Sequence, residues 1–270
     1  MSEGPRLCVV TQRAGPLTKT YSTDRFRYVR RAARHQCRGS PDSGPANWNK
    51  PAQKLELYLA LFGFSGAHYV LTFRDEDLPQ DFDGVKRCLR NFVRRVHRRY
   101  PEVRRYVYAV EAGHERGRWH IHFVADEQEL PLEAVTGLWR CGFVNPGYHE
   151  YPVLCHDEGY FRLAKYLCKP DRMRPLGKHP WGVAAGMKKL IPPPTTKVQT
   201  RLPGIPKDAF WRSVDAAPVR EVNGRQTSPL MEYRDWIAAP KLGTYQFLEA
   251  DEKAQALIIK LKIYKLYFYC

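Results

Sequence analysis

The alternation of apolar and polar residues predicts regular structure between residues 66 and 172. Residues 68–73 (HYVLTF) form a short run of β-branched and aromatic residues, which is typical of a strand. Two further strands are predicted at 105–111 and 118–124, and helices are predicted at 82–99, 132–140 and 159–169. We therefore expect this part of the chain to be the ordered core of the protein.

The segment 82–99 has the period of an amphipathic helix, which Pro101 ends. Its apolar stripe consists of Phe82, Val85, Leu89, Phe92, Val93 and Val96. Lysine and arginine fill much of the opposite side. Four of these cations are candidates for contact with nucleic-acid phosphates: Arg94, Arg95, Arg98 and Arg99. The alternative is that this face is merely solvated.

Both flanks are predicted to be extensions of the core, at 1–65 and 173–270. The first is basic, and its six arginines at 25–38 either lie on phosphates or belong to a solvated tail. Residues 173–245 are rich in proline, glycine and basic residues, so we expect little regular structure there. A terminal helix is predicted at 246–269.

The charge balance points to a polyanionic partner. The chain of 270 residues has 44 Lys and Arg against 28 Asp and Glu, a net charge of +16. This excess favours nucleic acid over a membrane surface, the alternative being a basic surface that binds nothing. No apolar run is long enough for a membrane-spanning helix, and no secretory signal is evident. Seven cysteines without a CxxC pair are typical of reduced thiols, so a cytoplasmic protein is expected.

The sharpest chemical pattern is His120-Ile121-His122 in a predicted strand. Residues two apart in a strand point to one face, so both imidazoles project together. A tight hairpin with its turn at 115–116 pairs Glu111 with His120, with Cβ atoms about 4.5–5.5 Å apart. It also sets His122 opposite the small Ala109. One carboxylate and two imidazoles predict an open metal site; two merely exposed histidines are the alternative.

The helix at 159–169 places a tyrosine among cations. At about 100° per residue, one side gathers the apolar residues, including Tyr160, and the other gathers Arg162, Lys165, Tyr166 and Lys169. Positive charge stabilises a phenolate, which suits Tyr166 to act as a nucleophile in phosphoryl transfer. The alternative is an ordinary surface tyrosine on an amphipathic helix.

Together these residues resemble the HUH endonucleases, and specifically the rolling-circle replication initiators of single-stranded phages and plasmids. Three motifs stand in that family's order: VLTF at 70–73, HIHFV at 120–124 preceded by Glu111, and KYLCK at 165–169. The resemblance covers roughly residues 66–172. It implies an α+β fold with a central antiparallel sheet, ferredoxin- or RRM-like, and flanking helices.

The resemblance also implies the roles of the site residues. Glu111, His120 and His122 would hold Mg²⁺ or Mn²⁺, and Tyr166 would attack the scissile phosphate and keep the 5′ end as a phosphotyrosine. Lys169 would stabilise charge or orient the phosphate, while Arg162 and Lys165 are expected to bind DNA. The implied substrate is single-stranded DNA at a replication origin in a bacterial cell, with a host helicase and polymerase as partners.

Two other readings stay open at this point. The same chemistry serves transposases and plasmid-mobilisation relaxases of the superfamily, which differ in where they nick. A non-catalytic DNA-binding regulator is also compatible with the charge. Some phage initiators carry two tyrosines four residues apart, but Arg162 stands four residues before Tyr166 here, so a single-tyrosine enzyme is expected.

Overall fold

The computed structural model describes residues 7–24, 49–113, 118–169, 181–216, 221–222, 225–226 and 232–240. The strands of these residues are β1 Leu7–Ala14, β2 Leu17–Asp24, β3 Gly66–Thr72, β4 Tyr106–Ala112, β5 Trp119–Asp126, β6 Val144–Pro146, β7 Trp181–Val183, β8 Thr195–Gln199, β9 Trp211–Ala216, β10 Glu221–Val222, β11 Arg225–Gln226 and β12 Glu232–Ile237. The α-helices are α1 Asn49–Ala60, α2 Phe82–Arg99, α3 Leu132–Leu138 and α4 Phe161–Leu167. The chain divides into two compact units, Asp42–Ile191 and Met1–Pro41 with Pro192–Cys270.

The unit Asp42–Ile191 is built on a five-stranded antiparallel sheet in the order β6-β3-β5-β4-β7. One face of this sheet carries the core. Its inward side chains include Tyr69, Leu71, Ile121 and Phe123, and α2 and α3 cover them. The Phe92 and Phe123 rings meet at 5.2 Å, edge to face. The α+β fold is thereby confirmed.

The apolar stripe of α2 behaves as its period predicts. Five of its residues are buried: Phe82, Val85, Leu89, Phe92 and Val96. Asp81 caps the helix, since its side chain accepts a hydrogen bond of 2.7 Å from the Gly84 N–H. Removing Phe92 would cost about 3–5 kcal/mol of stability, the usual loss for a buried phenylalanine.

The opposite face of the sheet lies under α4, with α1 packed against α4. Successive residues of a strand point to opposite faces, so the even-numbered residues of β3 and β5 project here. They include His68, His120 and His122. This is the face on which the sequence predicts a metal site.

The second unit contains another five-stranded antiparallel sheet, in the order β8-β1-β2-β12-β9. The expectation of little regular structure at 173–245 is therefore wrong for the described part of that segment. Its strands pair with the hairpin of β1 and β2, which the sequence pattern did not predict. Pairing of β1 with β8 joins residues far apart in the chain, and local alternation carries no information about such partners.

The predicted strands and helices between 66 and 172 are confirmed, with ends that differ by one or two residues. The basic segment 25–38 and the terminal helix predicted at 246–269 lie outside the described residues. Among the helices that the structure does describe, none has both the length and the apolar character needed to cross a bilayer.

Candidate active site

The geometry of the candidate metal site follows from the pairing of β4 with β5. Glu111 lies directly opposite His120, and Ala109 lies opposite His122, which is the predicted register. The turn itself, 114–117, is not among the described residues. The ligand atoms of Glu111, His120 and His122 lie within 4.8 Å of one another.

The carboxylate of Glu111 is the centre of this cluster. Its Oε2 lies 3.0 Å from His122 Nε2 and 3.5 Å from His120 Nε2. Its Oε1 accepts an ion-paired contact of 2.6 Å from Lys169 Nζ. Burial alone would raise the pKa of Glu111, but the close contacts of its carboxylate with His120, His122 and Lys169 outweigh burial and hold that pKa well below its usual range. Glu111 is therefore ionised and available as a ligand.

These three residues fit a divalent cation. Two imidazole nitrogens and one carboxylate oxygen form a mixed donor set, and three protein ligands leave further positions for water or phosphate oxygens. The neighbouring carboxylate Asp126 is already engaged, since its Oδ2 accepts from Ser65 Oγ at 2.7 Å and from Arg105 Nη2 at 3.2 Å. Glu111 is thus the carboxylate that the sheet presents to this site.

Helix α4 brings Tyr166 onto the same face. The Tyr166 ring meets the His122 ring edge to face at 5.3 Å between centroids. On its other side it stacks on the ring of Tyr151 at 3.8 Å and 17°. Lys169 lies two residues beyond the end of α4, and its Nζ lies 4.1 Å from the centre of the Tyr166 ring. Lys169 therefore stands between the carboxylate of the cluster and the tyrosine.

The electrostatic setting of Tyr166 differs from the sequence expectation. Burial raises the pKa of its hydroxyl, the charge of Glu111 raises that pKa further, and Lys169 opposes both. The other two cations of the helix point elsewhere: Arg162 Nη1 pairs with Asp157 at 3.4 Å, and Lys165 Nζ with Glu158 at 3.1 Å. The sequence suggested that the cations of this helix face stabilise the Tyr166 phenolate, but in the structure the pKa of Tyr166 is raised.

Tyr160, the other tyrosine of this segment, is fully buried, as its place among apolar residues predicts. Its hydroxyl donates a hydrogen bond of 2.9 Å to the Gly63 carbonyl oxygen. Burial raises the pKa of that hydroxyl far above its ordinary value. Tyr160 is thus a structural residue of the helix packing.

The sequence pattern missed two residues that the fold brings to the cluster, His68 and Tyr151. His68 is fully buried on β3, and its Nε2 lies 3.0 Å from His122 Nδ1. Its Nδ1 lies 2.9 Å from the Tyr151 carbonyl oxygen. Burial and the neighbouring His122 lower the pKa of His68 to about 3. The two-residue period of β3 places His68 on the same strand face as Val70. Once β3 pairs with β5, Val70 lies opposite His122, so His68 comes to the face of the cluster.

The four arginines predicted to bind phosphates lie on α2, which packs on the sheet face opposite the metal cluster. Arg94, Arg98 and Arg99 are exposed. Arg95 is different, because its Nε donates a hydrogen bond of 2.9 Å to the Leu138 carbonyl oxygen at the end of α3. Three of the four therefore remain candidates for contact with DNA, whereas Arg95 ties α2 to α3.

One comparison with known proteins gives a match. Residues 68–171, fewer than half of the chain, match the model of a family described as replication-associated protein ORF2. No curated protein and no solved structure matches the chain significantly. The matched segment runs from His68 to just beyond Lys169 and so contains the whole cluster. The match supports the resemblance to replication initiators and indicates a role in DNA replication.

Proposed function

We propose that this protein is a rolling-circle replication initiator that nicks and rejoins single-stranded DNA at an origin through a phosphotyrosine. The observation that carries the proposal is the position of Tyr166, whose ring contacts His122 of a three-residue metal cluster while Lys169 contacts both Tyr166 and Glu111. Phosphoryl transfer needs a positioned nucleophile and neutralised phosphate oxygens; in the proposal Tyr166 is the first, and Lys169 with a cation bound at the cluster supplies the second.

In the proposed reaction the Tyr166 oxygen attacks the scissile phosphorus. The new bond joins this oxygen to the 5′ phosphate, and the bond to the 3′ oxygen breaks. The phenol proton passes to solvent, because Lys169 is already protonated. Burial would lower the pKa of Lys169, but the contact with Glu111 outweighs burial and raises that pKa above its usual value. The departing 3′ oxygen takes a proton from water. Rejoining is the reverse attack, by a 3′ hydroxyl on the phosphotyrosine.

The other residues of the site supply charge, restrict the tyrosine ring and bind the DNA backbone. When bound by Glu111, His120 and His122, a divalent ion such as Mg²⁺ or Mn²⁺ supplies positive charge to the phosphate oxygens. Lys169 adds a second positive charge beside the nucleophile. Tyr151 limits the rotation of the Tyr166 ring by stacking on it. We further propose that Arg162 and Lys165, at the outer side of α4, bind the DNA backbone.

The biological setting belongs to the same proposal. The family match supports replication over transposition or plasmid mobilisation, because the family is described by its association with replication. We propose that the enzyme acts in the cytoplasm of a bacterial cell. There, a host helicase would open the duplex and a host polymerase would extend the 3′ hydroxyl.

A covalent-adduct assay tests the proposal. The full chain is incubated with a pool of single-stranded oligonucleotides and Mn²⁺, and adducts are detected by their retarded migration under denaturing conditions. We expect an adduct that Tyr166→Phe abolishes, with DNA binding retained. Tyr160→Phe, the matched control, should still form it. Absence of any adduct would favour a non-catalytic regulator, and a nick mapped to a transposon end or a transfer origin would overturn the replication role.

A further inference from the structure

His68 forms hydrogen bonds to a residue of the Glu111–His120–His122 cluster and to the backbone of Tyr151, whose ring stacks on Tyr166. Its two ring nitrogens face different partners, His122 Nδ1 at 3.0 Å and the Tyr151 carbonyl oxygen at 2.9 Å. Both histidine rings are buried, at 0% and 2% exposure. The Tyr151 side chain in turn stacks on Tyr166. One buried imidazole thus touches both a ligand and the segment that supports the nucleophile.

The donors in this chain can be deduced from the carbonyl at its end. A carbonyl oxygen only accepts hydrogen bonds, so His68 Nδ1 must carry the proton. A neutral imidazole has one N–H, so His68 Nε2 must accept, and His122 Nδ1 must donate to it. Two neutral rings supply two protons for three contacts. The third contact, between His122 Nε2 and Glu111 Oε2, is the one left for a cation.

The backbone next to Tyr151 is shaped to admit the His68 ring. A Cβ at Gly147 would lie 2.6 Å from His68 Nδ1, so no other residue fits there without displacing the ring. The 3₁₀ helix Gly147–His149 therefore lies directly against the imidazole. This close approach brings the Tyr151 carbonyl within reach of the Nδ1 proton.

We propose that His68 is a positioning residue that keeps His122 Nε2 directed at the cation and anchors the Tyr151 segment behind Tyr166. The effect of His68 on metal binding depends only on the Glu111–His120–His122 cluster, while its effect on Tyr166 rests on the proposed function. A partner behind a histidine ligand fixes its tautomer and raises its basicity, and its loss typically weakens metal binding by about 10–100-fold.

Two substitutions separate the two hydrogen bonds of His68. An asparagine amide nitrogen lies near the position of Nδ1, so His68→Asn keeps the bond to Tyr151 and loses the one to His122. A glutamine oxygen lies near the position of Nε2, so His68→Gln keeps an acceptor for His122 and loses the Tyr151 bond. The matched control is Tyr69→Phe, which removes a buried hydrogen bond of the same strand, to the Leu130 carbonyl oxygen, on the other face.

The first measurement is Mn²⁺ affinity of the full chain without DNA, from the electron paramagnetic resonance signal of free Mn²⁺. We expect His68→Asn to raise the dissociation constant about 10–100-fold, His68→Gln to stay within a few-fold of the parent, and Tyr69→Phe to leave the constant unchanged. The second measurement is the rate of adduct formation at saturating Mn²⁺. There the order reverses, because His68→Gln frees the Tyr151 segment and slows the reaction more than His68→Asn does.

Equal Mn²⁺ affinity for the asparagine variant, the glutamine variant and the parent would overturn the proposal, as would an equal loss in both variants. Thermal unfolding verifies that each variant is folded. If His68→Asn does not fold, Gly147→Ala replaces it, since a Cβ 2.6 Å from His68 Nδ1 displaces the whole ring, breaks its contact with His122 as well and should therefore weaken Mn²⁺ binding. An adduct that survives Tyr166→Phe would refute the proposed nucleophile and leave the Mn²⁺ result standing.

Discussion

Lys169 contacts both halves of the site. Its Nζ lies 2.6 Å from Glu111 Oε1 and 4.1 Å from the centre of the Tyr166 ring. Glu111 is nearly buried, and an ionised carboxylate in such a place needs a compensating charge. Lys169 supplies that charge, but the same ammonium repels a divalent cation at the cluster. Its effects on metal binding and on the chemistry should therefore have opposite signs.

Lys169→Met is expected to bind Mn²⁺ several-fold more tightly and to form the DNA adduct about 100-fold more slowly, the usual cost of removing one stabilising group from a reaction centre. The two quantities are measured by Mn²⁺ titration and by single-turnover kinetics at saturating Mn²⁺. Lys86→Met is the control, because Lys86 lies over the Tyr108 ring, on the opposite face of the sheet. Weaker Mn²⁺ binding in Lys169→Met would contradict the opposed roles.

The carboxylate ligand can be tested against a matched neighbour. Glu111→Gln keeps the shape of the side chain but removes its charge, so we expect the Mn²⁺ dissociation constant to rise by at least about 10-fold. His120→Ala and His122→Ala should do the same, since each removes a ligand. Asp126→Asn should change stability instead, because Asp126 is bonded to Ser65 and Arg105.

Chelation gives the complementary test of this set of ligands. We expect excess EDTA to stop adduct formation by the parent chain, and added Mn²⁺ to restore it. Adduct formation at an undiminished rate in EDTA would exclude a catalytic metal. If Mn²⁺ affinity fell as far in Asp126→Asn as in Glu111→Gln, the assignment of Glu111 as the carboxylate ligand would be contradicted.

At the scale of elements, the sheet separates two basic regions. Helix α4 carries Tyr166 on one face, and α2 carries exposed arginines on the other. A strand of DNA held at Tyr166 does not reach α2 without passing around the edge of the sheet. The α2 arginines are thus candidates for contact with flanking DNA, whereas in the proposed reaction the scissile phosphate contacts other groups.

Charge reversal of Arg94, Arg98 and Arg99 together is expected to flatten the salt dependence of DNA binding. Three lost phosphate contacts change the log–log slope by about 2 on single strands. The slope is measured by titrating long single-stranded DNA at several salt concentrations, and a short oligonucleotide that spans only the nick site serves as the comparison. An unchanged slope would mean that this face is merely solvated.

Arg95→Met is the contrasting variant on the same helix. Arg95 donates to the Leu138 carbonyl oxygen, so its loss should lower the free energy of unfolding by about 1 kcal/mol and leave the salt slope unchanged. Chemical denaturation measures the first quantity. A flatter salt dependence of DNA binding in Arg95→Met would indicate that Arg95 also contacts phosphates.

At the scale of the whole molecule, the proposed function gives the site one nucleophile, Tyr166. Tyr160 is buried and bonded to Gly63, so it is not available for a second attack. Tyr151 stacks on Tyr166, and in the proposed function its part is to limit the rotation of the Tyr166 ring. Each protomer is therefore expected to hold one 5′ end at a time.

A turnover experiment tests this expectation. With excess substrate and a separately supplied acceptor strand, a protomer should form one adduct and release it only when a 3′ hydroxyl returns to the phosphotyrosine. The measurement is the number of adducts and joined products per active site, with simple reversal subtracted. A dilute monomer that forms a second adduct while the first is still held would contradict a single nucleophile, and Tyr151→Phe would then identify the second.

Several features follow from the sequence alone because they depend on local periods. The two-residue period of a strand is enough to place His120 and His122 on one face, and the tight hairpin sets Glu111 opposite His120. The helical period is enough to assign the buried stripe of α2 and to separate Tyr160 from Tyr166. Residues within one helix or one hairpin have their geometry fixed by those periods, whatever the rest of the fold.

Other features depend on which distant segments meet, and only the tertiary structure decided them. His68 reaches His122 because β3 lies beside β5, and Tyr151 reaches Tyr166 because its loop folds under α4. The second sheet likewise unites strands from the two ends of the chain. Lys169 pairs with Glu111 and Lys165 pairs with Glu158, because the fold places one carboxylate within reach of each ammonium group. Strand order and side-chain pairing depend on contacts between distant residues, and no local period encodes them.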